Sequence, residues 1–288
     1  MRACIESVER MARSTVVVLA TTLLELSVLP ALYDALRECE ETDRLDVVIY
    51  CRGGELNAAR RVALLLHSFA SHIRLIVPHY CESAGTALAL AAHEIVAGPV
   101  AGFTPFDPIL EGGQSGAGGQ PNAICAEDIH LFARMAKDWF GVPEGEAQAQ
   151  AMSVICANFF PTTLTAFYRA TLETKEMCNA LLRLSMPDRS DEARAAIVDK
   201  LLFGYHSHTY SLTSDDLKSL GLPIRRDEAV ESAAWEIAGE LRQSMRRPDR
   251  NSADDVMTCA LIATRRRTWL QRTHPASPGK TWEVQDTR

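Results

Sequence analysis

Two short stretches hold residue types whose spacing suits acyl chemistry. Glu82-Ser83-Ala84-Gly85-Thr86 places a hydroxyl among small residues, just after an apolar run (73–77) that stops at Pro78. Arg52-Gly53-Gly54 follows another apolar run (45–51), and Gly54 precedes Ser83 by 29 residues. Glycines let the chain turn its N–H groups outward with no Cβ in the way. The first amides of a helix have no intrahelical acceptor. The Gly53, Gly54 and Ala84 amides are therefore candidate donors to an oxyanion developing beside the Ser83 hydroxyl. Losing one such donor costs about 3 kcal/mol of transition-state stabilisation. A serine that starts a helix is also an ordinary N-cap, and that reading stands beside the catalytic one.

The elements that must position these turns follow from apolar periodicity. Strands are expected at 15–22, 45–51, 73–77 and 94–98, as nearly continuous Val/Ile/Leu runs. Helices are expected at 27–39, 56–69 and 83–92. This alternation predicts a parallel sheet with crossover helices and both faces covered. Both turns then fall at the C-terminal ends of neighbouring strands, where open α/β sheets build their sites. A Gly-rich stretch, 111–122, reads as a mobile loop. Helical spacing covers 128–140, 151–185 and 190–204, with Ser190 as a start and Gly204 as a stop. A short capped helix lies within 213–223. The organisation expected is one domain over 1–240, followed over 241–288 by a polar linker (246–255), a terminal strand or hairpin, and a disordered tail.

Composition narrows the function classes. The 288 residues are 47% hydrophobic and 23% charged, as in a soluble globular protein. A net charge of −7 argues against a general nucleic-acid binder. Arg265-Arg266-Arg267 reads as a solvated strand end. The eight cysteines contain no C-x-x-C pair and sit mostly in apolar segments, which fits reduced thiols and a cytoplasmic location. No zinc site or other metal centre is expected, and no cofactor. Arg10 and Arg13 precede an apolar run that Thr21, Thr22 and Glu25 interrupt, so it reads as a buried strand rather than a leader or membrane span.

The ordered set Gly53-Gly54, Ser83-Ala84-Gly85-Thr86, His93-Glu94-Ile95, Pro105-Phe106-Asp107-Pro108 and the segment 206–223 resembles the Clp-protease/crotonase superfamily. More closely, it is similar to the serine dehydrogenase proteinase family, related to the signal peptide peptidase A enzymes. The resemblance runs over about residues 13–225. It implies a fold of stacked ββα units with a parallel sheet and a C-terminal helical region. It also implies Ser83 as nucleophile, an oxyanion hole from the Gly53/Gly54 turn and Ala84, and assembly into rings or smaller homo-oligomers.

The base is less clearly marked. Clp-type enzymes carry a histidine where this chain has Phe106-Asp107-Pro108, and signal peptide peptidase A enzymes use a lysine further along. Lys137 and Lys175 lie in the corresponding helical region. His208 falls close to the position of the Clp acid and is the preferred base, with Asp107 to fix its tautomer. Two departures flank the turns. Arg52 stands where the family has a small residue or proline, and Glu82 directly precedes Ser83.

The reading that follows is a cytoplasmic serine hydrolase, a peptidase acting on peptide or protein substrate through an acyl-enzyme at Ser83. Two alternatives stay open. One is an inactive oligomeric scaffold of the same fold. The other is a crotonase-type acyl-CoA enzyme whose amides stabilise a thioester enolate.

Overall fold

A computed structural model describes the chain except for residues 41, 107–108, 111–123, 159–160, 246–255, 275–276 and 288. The Gly-rich stretch, the linker at 246–255 and Asp107 therefore lie outside or almost outside the described residues.

The chain opens with α1 (Arg2–Ala12), which ends at Arg13 in left-handed backbone. Strands and helices then alternate: β1 (Thr15–Thr21), α2 (Leu29–Arg37), β2 (Arg44–Cys51), α3 (Leu56–His67) and β3 (His72–Val77). Next come β4 (Tyr80–Cys81), α4 (Ala84–Ala89), β5 (Glu94–Ala97) and the two-residue strands β6 (Gly102–Phe103), β7 (Ile109–Leu110) and β8 (Ile124–Cys125). A helical region follows, with α5 (Ala126–Phe140), α6 (Glu144–Asn158), α7 (Pro161–Ser185), α8 (Asp191–Phe203) and α9 (Ser214–Ser219). The chain closes with β9 (Ile224–Arg225), α10 (Glu228–Ser244), β10 (Met257–Ala263), β11 (Arg267–His274) and β12 (Ser277–Asp286).

The main sheet runs β12-β11-β10-β1-β2-β3-β5-β9, with β4 beside β2 and β6 beside β4. Pairing is parallel from β1 to β9 and antiparallel from β1 to β12. The fold is thus mixed α/β, with a parallel centre of the expected Clp-like kind.

The continuous apolar strands are explained by two cores. In β1, Val17 and Leu19 face one cluster with residues of α2, α3, α4, α7 and α8. Val16, Val18 and Ala20 face the other, with Ile5 and Val8 of α1 and Val230, Ala234, Ile237 and Leu241 of α10. Alternate side chains point to opposite faces, so a strand covered on both sides has no polar face to show.

Two expectations are corrected. The stretch 151–185 is two helices, because Pro161 starts α7; its ring cannot donate to a preceding turn and suits a first helical position. The terminal strand or hairpin expected before the tail is β10 and β11, but the tail expected to be disordered instead holds β12. Trp269 and Leu270 are buried, and β12 pairs along β11 from Asp286 to Ser277. Helices α1 and α10 cover a sheet face that the sequence reading left without a named cover. The basic triplet is fixed by acids: Arg265 and Arg266 pair with Glu40, and Arg267 pairs with Glu38 at 2.7 Å.

Candidate active site

The two turns lie side by side. Cys51 and Cys81 are partners in the parallel ladder, and the Glu82 N–H donates to the Cys51 carbonyl at 2.9 Å. A Cβ built on Gly53 would stand 3.6 Å from the Ser83 Cβ, in ordinary contact. The glycine turn is anchored to the segment after β1. Leu24 N–H donates to the Gly53 carbonyl and Glu55 N–H to the Leu24 carbonyl, both at 2.8 Å. This approach is so close that a Cβ on Gly54 would lie 2.3 Å from Leu24 backbone atoms. Gly53 and Gly54 have φ of +119° and +136°, a region closed to side chains. The Gly53 carbonyl and Glu55 N–H are held from behind by Leu24; the Gly53 amide lies by the Cys51 thiol, and the Gly54 amide has no backbone acceptor among the described residues.

Ser83 has φ +49° and ψ −108°, a sparsely populated conformation for a residue with a Cβ. Its hydroxyl makes no capping bond to α4, so the plain N-cap reading does not hold. The Ser83 N–H is committed to Thr104 Oγ1 at 2.9 Å. The Ala84 amide, at the first helical position, has no acceptor among the described residues. Gly85 lets α4 seat against the strands. A Cβ there would meet Cys51 Cβ at 3.1 Å and both sulfurs at 3.3 Å. Burial pushes the Cys51 thiol up to about 12 and the Cys81 thiol well above its ordinary value. Neither is a thiolate near neutral pH.

A cavity of about 700 Å3 opens before these turns. Gly53, Gly54, Ser83 and His208 all line it, with Leu23, Leu56, Ala170 and Met177 as apolar wall. Sequence reasoning placed the first four. It missed Glu173, Thr174 and Met177, which α7 lays across the opening at helical spacing. Nothing local distinguishes that face of α7 from an ordinary packed one. Nor was Thr104 singled out, although Thr86, its other partner, belongs to the Ser-Ala-Gly-Thr motif.

The candidate bases separate clearly. His208 sits in the loop between α8 and α9, and its Nδ1 is buried without a partner. Lys175 is also on α7, but its ammonium pairs with Asp199 at 2.7 Å and lies over the Phe203 ring, and it does not line the cavity. Lys137 pairs with Glu144 at 2.9 Å. The two departures offset each other. Arg52 approaches Glu82 at 3.6 Å and lies 4.4 Å from the Tyr80 ring centroid, which balances its charge at the cavity mouth.

Among the described residues no cluster of His, Cys, Asp or Glu suits a metal ion, and no helix is long and apolar enough to cross a membrane. The described cysteines are free thiols.

The pattern of the ClpP-like SDH-type serine proteinases matches residues 23–118, which hold both turns. Two uncharacterized proteins of Methanocaldococcus jannaschii are similar over much of the chain. MJ0137 is 28% identical over 191 residues, 66% of this chain and 56% of its own length. MJ1495 is 27% identical over 190 residues, 66% of this chain and 55% of its own. The chain thus spans little more than half of either relative. Among solved structures, a membrane-bound stomatin-specific protease (1510-N) gives a TM-score of 0.44 at 14% identity, covering 81% of this chain and 86% of that one. A form of it with a substrate peptide gives 0.43 at 15%, covering 75% and 77%. A putative enoyl-CoA hydratase of Streptomyces coelicolor gives 0.35 at 15%, covering 77% and 64%. TM-scores this low lend no weight to any assignment of chemistry.

Proposed function

With residues 23–118 carrying the pattern of the ClpP-like SDH-type serine proteinases, we propose that this chain is a serine peptidase acting through an acyl-enzyme at Ser83. The observation that carries the reading is a convergence. One cavity is lined by Ser83 with its uncapped hydroxyl, by the Gly53-Gly54 turn and by His208, and the Ala84 amide, which has no acceptor among the described residues, comes directly after Ser83.

In this reading Ser83 Oγ attacks the scissile carbonyl carbon while His208 takes its proton. The carbonyl oxygen, now anionic, is held by the Gly53, Gly54 and Ala84 amides. Collapse of the tetrahedral intermediate breaks the C–N bond, and the protonated imidazole returns its proton to the leaving amine. Water then attacks the ester by the same route and frees Ser83. Apolar Leu23, Leu56 and Met177 provide a wall for a substrate side chain, so a peptide or protein substrate fits better than a small polar ester.

His208 and Ser83 share the cavity without a hydrogen bond between them. Catalytic contacts of this kind often tighten only when substrate is bound. The proposal includes a homo-oligomer and a cytoplasmic setting. The helical region supports the first, since it leaves Trp139, Phe140, Met152 and Tyr168 exposed.

A fluorophosphonate probe tests the reading. Wild-type protein is expected to take up one adduct, located on Ser83 by peptide mass spectrometry, and Ser83→Ala to take up none. A folded wild-type protein that stays unlabelled would favour the scaffold, and retention on a CoA matrix would favour the acyl-CoA enzyme.

A further inference from the structure

The Ser83 turn is held by a small ring of hydroxyls that the mechanism above does not use. Thr86 Oγ1 donates to the Cys81 carbonyl at 2.8 Å. The same oxygen accepts the Thr104 N–H at 3.2 Å, and Thr104 Oγ1 accepts the Ser83 N–H at 2.9 Å. The ring therefore closes around residues 81–86 from start to finish. It explains how Ser83 keeps a backbone conformation that costs about 1–3 kcal/mol when unsupported. It also removes the Ser83 N–H from the anion hole and so leaves that role to Ala84 and the glycine pair.

The residue before Thr104 reaches the other half of the site. Phe103 and Leu212 exchange both backbone hydrogen bonds, at 2.9 and 2.8 Å. Leu212 is four residues beyond His208. On its other edge, this strap, β6 and the following Thr104, is paired to β4, with Cys81 opposite Phe103. Phe103 is fully buried, so the strap is fixed in the core. Residues 103–104 thus form a hydrogen-bonded bridge between the turn that carries the nucleophile and the loop that carries the base.

Resting on the reading of Ser83 as nucleophile, we propose that Thr104 is a positioning residue. Its hydroxyl sets the backbone of Ser83, and through Phe103 it keeps that turn in register with the His208 loop. Substrate binding does not depend on it, because Thr104 does not line the cavity.

Thr104→Val tests this, since valine keeps the shape and removes the acceptor. Saturation kinetics of fluorophosphonate inactivation separate reaction from binding. The limiting rate is expected to fall about tenfold, equivalent to roughly 1.4 kcal/mol, with little change in the half-saturating concentration. Thr104→Ser, which keeps the acceptor, is expected to restore most of the rate. Thr104→Ala repeats the deletion without the extra methyl, in case valine perturbs the turn by its bulk. Wild-type kinetics in Thr104→Val, or a serine variant no faster than the valine one, would overturn the inference. So would loss of folding in both deletions, which would make the hydroxyl a folding element. If wild-type protein itself fails to label at Ser83, the underlying reading falls instead, and the two failures are told apart.

Discussion

The two ends of the parallel strands treat polar groups in opposite ways. At the N-terminal ends, Asp46 on β2, Arg74 on β3 and Glu94 on β5 are cross-strand neighbours. Asp46 and Arg74 are buried, and the guanidinium donates to both carboxylate oxygens, with Nε at 2.9 Å. Arg74 also approaches Glu94 at 3.5 Å, and Arg44 approaches it at 3.6 Å. At the C-terminal ends, Gly53, Gly54, Ser83 and His208 line one cavity, and neither the Ala84 amide nor His208 Nδ1 has a partner among the described residues. Charge matched to charge across neighbouring strands is a structural solution. Polar groups left unmatched around a cavity need an explanation, and a reacting substrate supplies one.

The largest expected effect lies at the unmatched end. His208→Ala should slow Ser83 labelling by about 10²- to 10⁴-fold, the usual contribution of a positioned general base, and should leave thermal stability little changed. Unchanged labelling would move the base elsewhere and weaken the contrast between the ends.

The matched end should respond the other way. Arg74→Met leaves buried Asp46 with only the more distant Arg44, at 3.8 Å, and the Ser14 hydroxyl, and breaking a buried pair in this way typically costs about 3–5 kcal/mol. Urea unfolding is expected to show that loss, while labelling per folded molecule stays at the wild-type rate. A drop in labelling with stability intact would mean that the two ends are coupled.

A smaller effect concerns pH. The His72 and His93 rings stack 5.0 Å apart near the ion-paired end. Burial lowers the His72 pKa, with Arg44 adding to the shift, and burial lowers the His93 pKa, with His67 and His72 adding. The unfolded chain therefore binds more protons than the folded one just below the ordinary histidine pKa of about 6.5. Their contribution to stability is complete above that value and is lost as pH falls through the lowered pKa values. The urea midpoint should drop between pH 7 and pH 5, and His72→Asn should shrink the drop. A drop of the same size in the variant would remove His72 from the effect.

How much of this was legible in the sequence depended on whether the signal was local. β1, β2, β3 and β5 were readable because strands covered on both faces are continuous apolar runs. The two turns were readable because glycine and a small-residue frame are demanded by backbone geometry at those positions. The tail was misread because Pro278 and Gly279 look like linker residues, whereas the order of β12 comes from pairing with β11, a partner that no local pattern reveals. The role of α7 was hidden for a related reason. Glu173 and Met177 lie on one face of a helix, and only tertiary placement turns that face toward Ser83. Arg52 and Glu82, two oddities in sequence, became intelligible once they were seen to approach each other.

The central claim is that two neighbouring turns aim amides and one hydroxyl at the same point, and a crystal structure of the phosphonylated protein tests it most directly. The account predicts phosphorus bonded to Ser83 Oγ, with its free oxygen about 2.7–3.1 Å from the amides of the Gly53/Gly54 turn and Ala84. An adduct whose oxygen points away from those amides, or a folded protein that forms none at Ser83, would contradict it.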